Sequence, residues 1–347
     1  MRFYTTTHKH YCGIDLHARN MYICVLSQEG KVLLHRNLRT DPELFLRTIA
    51  PFREDLVVSV ECMFTWYWLA DLCAQEKIHF VLGHALYMKA IHGGKAKNDR
   101  IDAYKIATIL RGGMLPYAYV YPSQWRSTRD LLRRRLRLAR QRGQLMSHVQ
   151  NTHHQYNLPL PKKRIAYRAN REGVAEQFTD ACASKSIEVD LELIGHYDEI
   201  IRDLELYLTR KAKFHDQDAF YRIRSVPGIG KVLSMTILYE IHDLGRFETV
   251  QDFASYSRLV KCQKSSAGKN YGTSGAKIGN VHLKWAFSEA AVLFLRGNPK
   301  AQKYLKRIEN KHGKRKALSI LAHRLGRTVY YMLKMKRTFS METFLKA

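Results

Sequence analysis

Residues 11–20, YCGIDLHARN, carry a β-prone apolar run into Asp15 and then break into polar residues, and a second apolar run at 21–26 leaves in the direction a hairpin takes. Gly13 lets another backbone approach closely, and Asp15 stands where a strand presents one carboxylate at its rim. Three later acids echo it. Glu61 closes the strand-like run LVVSVE, and Asp99 and Asp102 lie in KNDRIDAYKIA at i, i+3, facing one way on a helix. Four carboxylates gathered by a fold repel one another unless a hard cation lies among them. Mg²⁺ (or Mn²⁺) suits such a site, because it takes oxygen ligands and keeps several waters.

The order of elements follows outward from that stretch. Strand candidates at 11–16, 20–27 and 31–38 are separated by turn signals at Asn20 and Glu29-Gly30, and Thr40-Asp41-Pro42 opens a helix. Strand 56–60, helix 65–75, strand 78–82 and a last helix at 99–111 complete the series. A meander of three strands followed by alternating helix and strand is the order of an RNase H/RuvC-like α/β domain. It would put the acids on the first strand, at the end of the fourth and on the last helix. Gly112-Gly113 and Pro116 end this domain, which spans residues 10–115.

The remainder reads as helical and basic. The chain of 347 residues has 58 Lys+Arg against 31 Asp+Glu, a formal net charge of +27. Solubility does not require that surplus, and nucleic acid is the economical partner. Residues 123–150, SQWRSTRDLLRRRLRLARQRGQLMSHVQ, form one long amphipathic helix with an apolar stripe through Leu131, Leu132, Leu136, Leu138 and Leu145. In that stretch Arg126, Arg129, Arg133, Arg134, Arg135, Arg137, Arg140 and Arg142 meet one acid, Asp130. A solvated coiled-coil face is one account of them. Phosphate contact is the other, and it relieves their mutual repulsion. Ile187, Leu191, Ile194, Tyr197, Ile201, Leu204 and Leu208 then repeat at spacings of three and four, suited to antiparallel pairing with the Arg-rich helix or to dimerisation.

Residues 116–215 are thus a helical coiled-coil spacer, and 216–347 a second, mostly α-helical domain. The latter opens on Pro227-Gly228-Ile229-Gly230, a tight turn into a helix that can hold a phosphate on its N–H groups or simply join two helices. KCQKSSAGKNYGTSGAKIGN at 261–280 reads as an exposed Ser/Gly/Lys loop. Residues 300–337 hold thirteen Lys/Arg against Glu309, a second basic surface. No apolar run approaches a membrane span, and the N-terminus has no signal-peptide core. Six cysteines without a C-x-x-C pair indicate a reduced cytoplasmic protein with buried thiols.

With the acid quartet and the Ser/Gly loop both in view, the chain resembles the transposases of the insertion-sequence one-ten family. These are DEDD-type, bridge-RNA-guided recombinases related to the Piv DNA invertase. In front the likeness is carried by GIDLH, by VSVEC in place of the commoner I-E-A-T/S-G, and by KNDRIDA for K-T-D-x-x-D-A. At the back it is carried by VPGIG, FASYSRLV for F-A-A-x-x-G-L-x-P, KSSAGK and KIGNVHLKWA. The resemblance implies that Asp15, Glu61, Asp99 and Asp102 hold the metal and that Ser266 attacks DNA to give a phosphoserine link. Ser265-Ser266 replaces the usual acid-serine pair, which makes Ser265 the reserve nucleophile, and Arg258 and Lys261 stand where Gly and Pro are common. Lys269 and Lys277, beside the serines, join Arg126, Arg129, Arg133, Arg134, Arg137 and Arg140 as nucleic-acid contacts. The resemblance also implies donor and target DNA, a structured guide RNA, a nucleoid-associated setting, and a homo-oligomer with a composite site: a dimer, and a tetramer when the DNA partners are brought together. Two other readings use fewer of these residues. A metal-dependent nuclease or Holliday-junction resolvase has no use for Ser266, and in a nucleic-acid-binding scaffold the acids merely pair with basic neighbours.

Overall fold

The computed structural model describes residues 2–91, 98–274 and 278–346. They fall into two compact units, Met1–Ser123 and Gln124–Ala347.

The first unit is built on one seven-stranded sheet. In chain order it contains β1 (Phe3–Tyr4), β2 (His10–Leu16), β3 (Asn20–Ser27), β4 (Val32–Arg39), α1 (Pro42–Ile49), β5 (Leu56–Glu61), α2 (Tyr67–Gln75), β6 (His79–Gly83), α3 (Ala85–Ile91), α4 (Asp99–Arg111) and β7 (Leu115–Ala118). The strand order across the sheet is β1-β7-β6-β5-β2-β3-β4. β2, β3 and β4 form an antiparallel meander, β5 runs parallel to β2, and β6 parallel to β5. The meander and the alternating helices and strands expected from the sequence are therefore present. The sheet does not end at α4, however: β7 and β1 extend it. Pro116 has no N–H to give, but its carbonyl accepts from His84 N at 2.7 Å, so it ties β7 to the end of β6 instead of terminating the sheet.

β2 is buried on both sides, through Tyr11, Cys12 and Ile14, because helices cover both faces of the sheet. Phe45, Ile49, Leu69 and Cys73 of α1 and α2 pack on one side, and Ala103, Ile106, Ala107 and Ile109 of α4 line the other cores. Asp41 caps α1 through Leu44 N at 2.8 Å, and Asn98 caps α4 through Ile101 N at 2.8 Å.

The second unit is helical apart from one hairpin. It comprises α5 (Ser123–Gln155), α6 (Ala181–Arg224), α7 (Lys231–Ile241), α8 (Val250–Tyr256), β8 (Cys262–Ser266), β9 (Lys269–Ser274), α9 (Val281–Phe294), α10 (Pro299–His312), α11 (Lys314–Lys334) and α12 (Met341–Lys346). Arg135 pairs with Glu205, Arg142 with Asp198 and His148 with Asp190, so ascending positions on α5 meet descending positions on α6 and the two helices run antiparallel. α6 is broken at Asp216 (φ −160°, ψ 86°), whose carboxylate accepts from Ala219 N at 2.8 Å and starts the helix again. Phe220, Tyr239, Phe253, Phe287, Phe294 and Tyr330 are the large members of the core.

All six cysteines are free thiols. Cys12, Cys24 and Cys73 are buried as expected, and burial pushes Cys24 up to about 11 and Cys73 up to about 12. Cys62, Cys182 and Cys262 are exposed instead, since they lie in the bend after β5, on the surface of α6 and at the start of the exposed hairpin strand β8. Among the described residues no helix is long and apolar enough to cross a membrane.

Candidate active site

Gly13 decides where the carboxylates meet. A Cβ at this position would lie 2.2 Å from Ala107 N and 2.5 Å from the Ala103 carbonyl oxygen, so α4 rests directly on the backbone of β2. Asp99 is one turn before Ala103 on that helix, and the contact brings it to the end of β2 where Asp15 sits. His35 Nε2 donates to the Arg100 carbonyl at 3.0 Å and ties the start of α4 to β4 as well. Asp99 and Asp102 both lie in the first turn of α4, where the helix N-terminus favours negative charge.

Asp15, His17 and Asp99 form a cluster with one ligand atom each, all within 4.8 Å of one another. His17 Nε2 is 3.5 Å from Asp15 Oδ2 and 3.7 Å from Asp99 Oδ1. Burial pushes the Asp15 carboxyl above the usual aspartate value, His17 pulls it back, and the charges of Asp99 and Asp102 push it up again. Lys105 Nζ, 3.8 Å from Asp102 Oδ1, offsets part of that negative charge. An oxygen-rich cluster in which one carboxylate is raised by burial and by like charge fits a hard divalent cation.

Glu61 comes to the same rim from a neighbouring strand. Ile14 is in register with Val60 on the parallel pair β2 and β5, so Asp15 and Glu61 are each the next residue. The turn that follows is held close by: Cys62 N donates to the Gly83 carbonyl at 2.9 Å, and Thr65 Oγ1 to the Leu16 carbonyl at 2.9 Å. Sequence reasoning missed His17. The signal was its place two residues after Asp15 in GIDLH, in the turn that leaves the end of β2.

The serine stretch is a hairpin, not the loop read from its composition. Ser266 pairs with Lys269, and Ala267 (φ 48°) and Gly268 (φ 74°) make the two-residue turn between them, both left-handed as a type I′ turn demands. Ser265 and Ser266 are both exposed and, being consecutive in a strand, face opposite sides of the ribbon. Lys269 is exposed beside them, whereas Lys277 lies outside the described residues.

The second unit carries a buried polar network. Arg133 Nε and Nη2 donate to the two carboxylate oxygens of Glu240, each at 2.7 Å, and Asn280 Nδ2 donates to Glu240 at 2.7 Å. Burial alone would push Glu240 up, but Arg133 and Asn280 hold it below the usual glutamate value. Asn280 also caps α9, accepting from His282 N and Leu283 N at 2.9 and 3.0 Å. Arg258 occupies a left-handed position (φ 53°) where a glycine would be unstrained, and its Nε donates to the Gly279 carbonyl at 2.8 Å. The turn at 227–230 packs Gly228 so tightly that a Cβ there would come within 2.6 Å of the α9 backbone.

The arginine face is less open than the sequence suggested. Arg126 and Arg129 are buried, and Arg133, Arg135 and Arg142 are engaged by Glu240, Glu205 and Asp198. The acids that α5 lacks in sequence arrive from α6 and α7. Arg134, Arg137 and Arg140 are exposed.

Comparison with known proteins accords with both halves of the molecule. A family model described as "Transposase IS116/IS110/IS902 family" matches residues 221–306, and a DEDD transposase model of the IS110 type matches residues 12–157. The chain is 22% identical over 342 residues to the transposase for insertion sequence element IS1111A of Coxiella burnetii, covering 94% of this chain and 90% of that one. It is 24% identical over 286 residues to a probable family 20 transposase of Pseudomonas aeruginosa, covering 78% and 80% of the two chains. With the transposase for insertion sequence element IS1328 of Yersinia enterocolitica it shares 22% over 291 residues, covering 82% and 83%. Its two matched regions, which together take in about two thirds of the residues, and its near full-length likeness to a further transposase identify it: the chain belongs to the IS110/IS116/IS902 family of insertion-sequence transposases.

Proposed function

We propose that this transposase excises and inserts its element by metal-dependent strand cleavage through a covalent phosphoserine intermediate, guided by a structured RNA. The observation that carries the metal half is the convergence of Asp15, His17 and Asp99 on the backbone contact at Gly13. Asp15, Asp99, Asp102 and Glu61 would hold Mg²⁺ or Mn²⁺, with His17 orienting Asp15 and Asp99. When bound, such an ion neutralises charge on a scissile phosphodiester and its leaving oxygen. In the sheet unit the RNase H/RuvC-like strand order supports this reading.

Ser266 supplies the nucleophile. Its Oγ forms a bond to phosphorus as the bond to one sugar oxygen breaks, the serine proton leaves to a base, and the released sugar oxygen takes up a proton. Because one phosphoester replaces another, the strand can be exchanged and resealed without an external energy source. The exposed hairpin tip supports this role, and Ser265 is the reserve on the opposite face of the ribbon. Acids and serine lie on different units, which suits a site completed between protomers of a dimer or tetramer. Arg134, Arg137, Arg140 and Lys269 are exposed cations that would meet phosphate, and Lys277 follows Lys269 in the same stretch of sequence.

The test is a trapping assay with protein, Mg²⁺, RNA transcribed from the element's non-coding ends and labelled DNA, denatured and resolved on a gel. A protein–DNA band lost only in Ser266→Ala supports serine attack and fixes the register. Cleavage without a covalent band in any lane makes water the nucleophile and favours a resolvase-like reaction.

A further inference from the structure

Within the second unit, α10, α11 and the C-terminal segment line an open cavity of about 520 Å³, inside the range of small-ligand sites. Its described lining includes no residue of the acid cluster or of the serine hairpin. His323, Arg327 and Tyr331 stand at i, i+4 and i+8 of α11 and line it together, and Arg337 lines it from the segment that follows. No aspartate or glutamate is among the described lining residues.

The cations differ in what they can offer. Arg324 is committed: its guanidinium lies 4.8 Å from the Tyr304 ring and 5.0 Å from the Phe344 ring and donates to the Phe344 carbonyl, fastening α12 over α11. Among the described residues neither Arg327 nor Arg337 is in an ion pair with a carboxylate. His323 is half-buried beside Arg327, and burial and that charge hold its pKa below the ordinary histidine value, so it offers a neutral ring. Two guanidiniums free of ion pairs in a concavity without acids, Arg327 half-buried and Arg337 exposed, suit an anion.

The walls narrow the class. Tyr331, Met332 and Met335 form an aromatic and thioether side of the cavity, and its lining is mostly apolar. A bare phosphate would satisfy the arginines and leave that side in water. A nucleotide covers both, with phosphate on the guanidiniums and a planar base against tyrosine and methionine. We propose that this cavity binds a single nucleotide, its phosphate on Arg327 and Arg337 and its base against Tyr331 and Met335. The nucleotide can be free, or it can be one turned out of a strand.

The test uses the full chain and three probes: dAMP, inorganic phosphate and a fluorescent dA hexamer. Titrations should show saturable dAMP binding at least tenfold tighter than phosphate. Arg327→Gln and Tyr331→Ala should each weaken dAMP about tenfold, near the scale of one lost stacking contact. Arg327→Lys should fall in between, and Lys9→Gln, on the sheet unit, should leave binding unchanged. A hexamer bound at least tenfold more tightly than dAMP, and weakened by the same variants, identifies a strand as the source; equal affinities identify the free nucleotide. Photolabelling of the wild-type chain with 8-azido-AMP should modify the peptide holding Tyr331 and Met335, a readout that survives any folding defect in the variants. Labelling confined to other peptides, no saturable dAMP binding, or affinities within twofold of wild type in both folded variants would overturn the proposal.

Discussion

Asp15 is ionised at a cost. Its folded pKa lies above the ordinary value of 3.8, so the folded chain holds this proton more readily than the unfolded one does. The contribution of Asp15 to stability is therefore full at low pH and is lost as pH rises from the ordinary aspartate range through the raised value. Asp15→Asn should raise the thermal midpoint of the metal-free protein at neutral pH and abolish the further rise expected when Mn²⁺ is added to the wild type. Paired melts with and without Mn²⁺ check both signs, and a fall in the metal-free midpoint would contradict them. Because a cation must displace this proton, apparent metal affinity should decline as pH is lowered through the same range. His17→Ala should weaken Mn²⁺ binding by about 10–100-fold, the usual loss for an orienting partner. Gly13 shows why part of this site was legible: a glycine before an acid in a strand marks close approach, and Ala103 and Ala107 are what approaches. His17 was overlooked, because standing two residues after Asp15 means little for one histidine among sixteen until α4 brings Asp99 to it.

Elements with strong periodicity could be read from the chain; those defined by distant partners could not. Strands β2 to β6 and helix α4 follow from apolar runs and turn signals. The two-residue strand β1 has too little pattern, and β7 carries a proline that reads as a stop. The hairpin at β8 and β9 was hidden because its turn is Ala-Gly, with Ala267 in a left-handed conformation usually taken by Asn or Asp. The acidic partners of the α5 arginines, on α6 and α7, were hidden by separations of 56, 70 and 107 residues in sequence. Arg133 illustrates the consequence. Glu240 is 1% exposed, and its depressed pKa contributes stability present above about 4.5 and lost as pH falls through the folded value. Arg133→Met should cost about 3–5 kcal/mol by stranding that carboxylate, whereas Arg133→Met with Glu240→Leu should recover most of the loss. Urea unfolding of the three proteins measures it.

At the scale of the molecule, the excess charge is what sequence composition conveys most directly, and its distribution is what the fold changes. The surplus of +27 is not spread along α5 as the sequence implied, since several of that helix's arginines are engaged within the second unit. Replacing Arg134, Arg137 and Arg140 together with glutamine should lower the slope of log affinity against log salt for duplex DNA by about 2–3, at about 0.9 per phosphate released. Filter binding at several salt concentrations reads the slope directly. The 33 residues of α5 span about 50 Å at 1.5 Å per residue, roughly fifteen base-pair steps of duplex. Its three exposed arginines occupy about 9 Å of that length, fewer than three steps. A duplex laid along this helix would be gripped near one point and free to swing about it, so α5 would act as a pivot rather than a clamp.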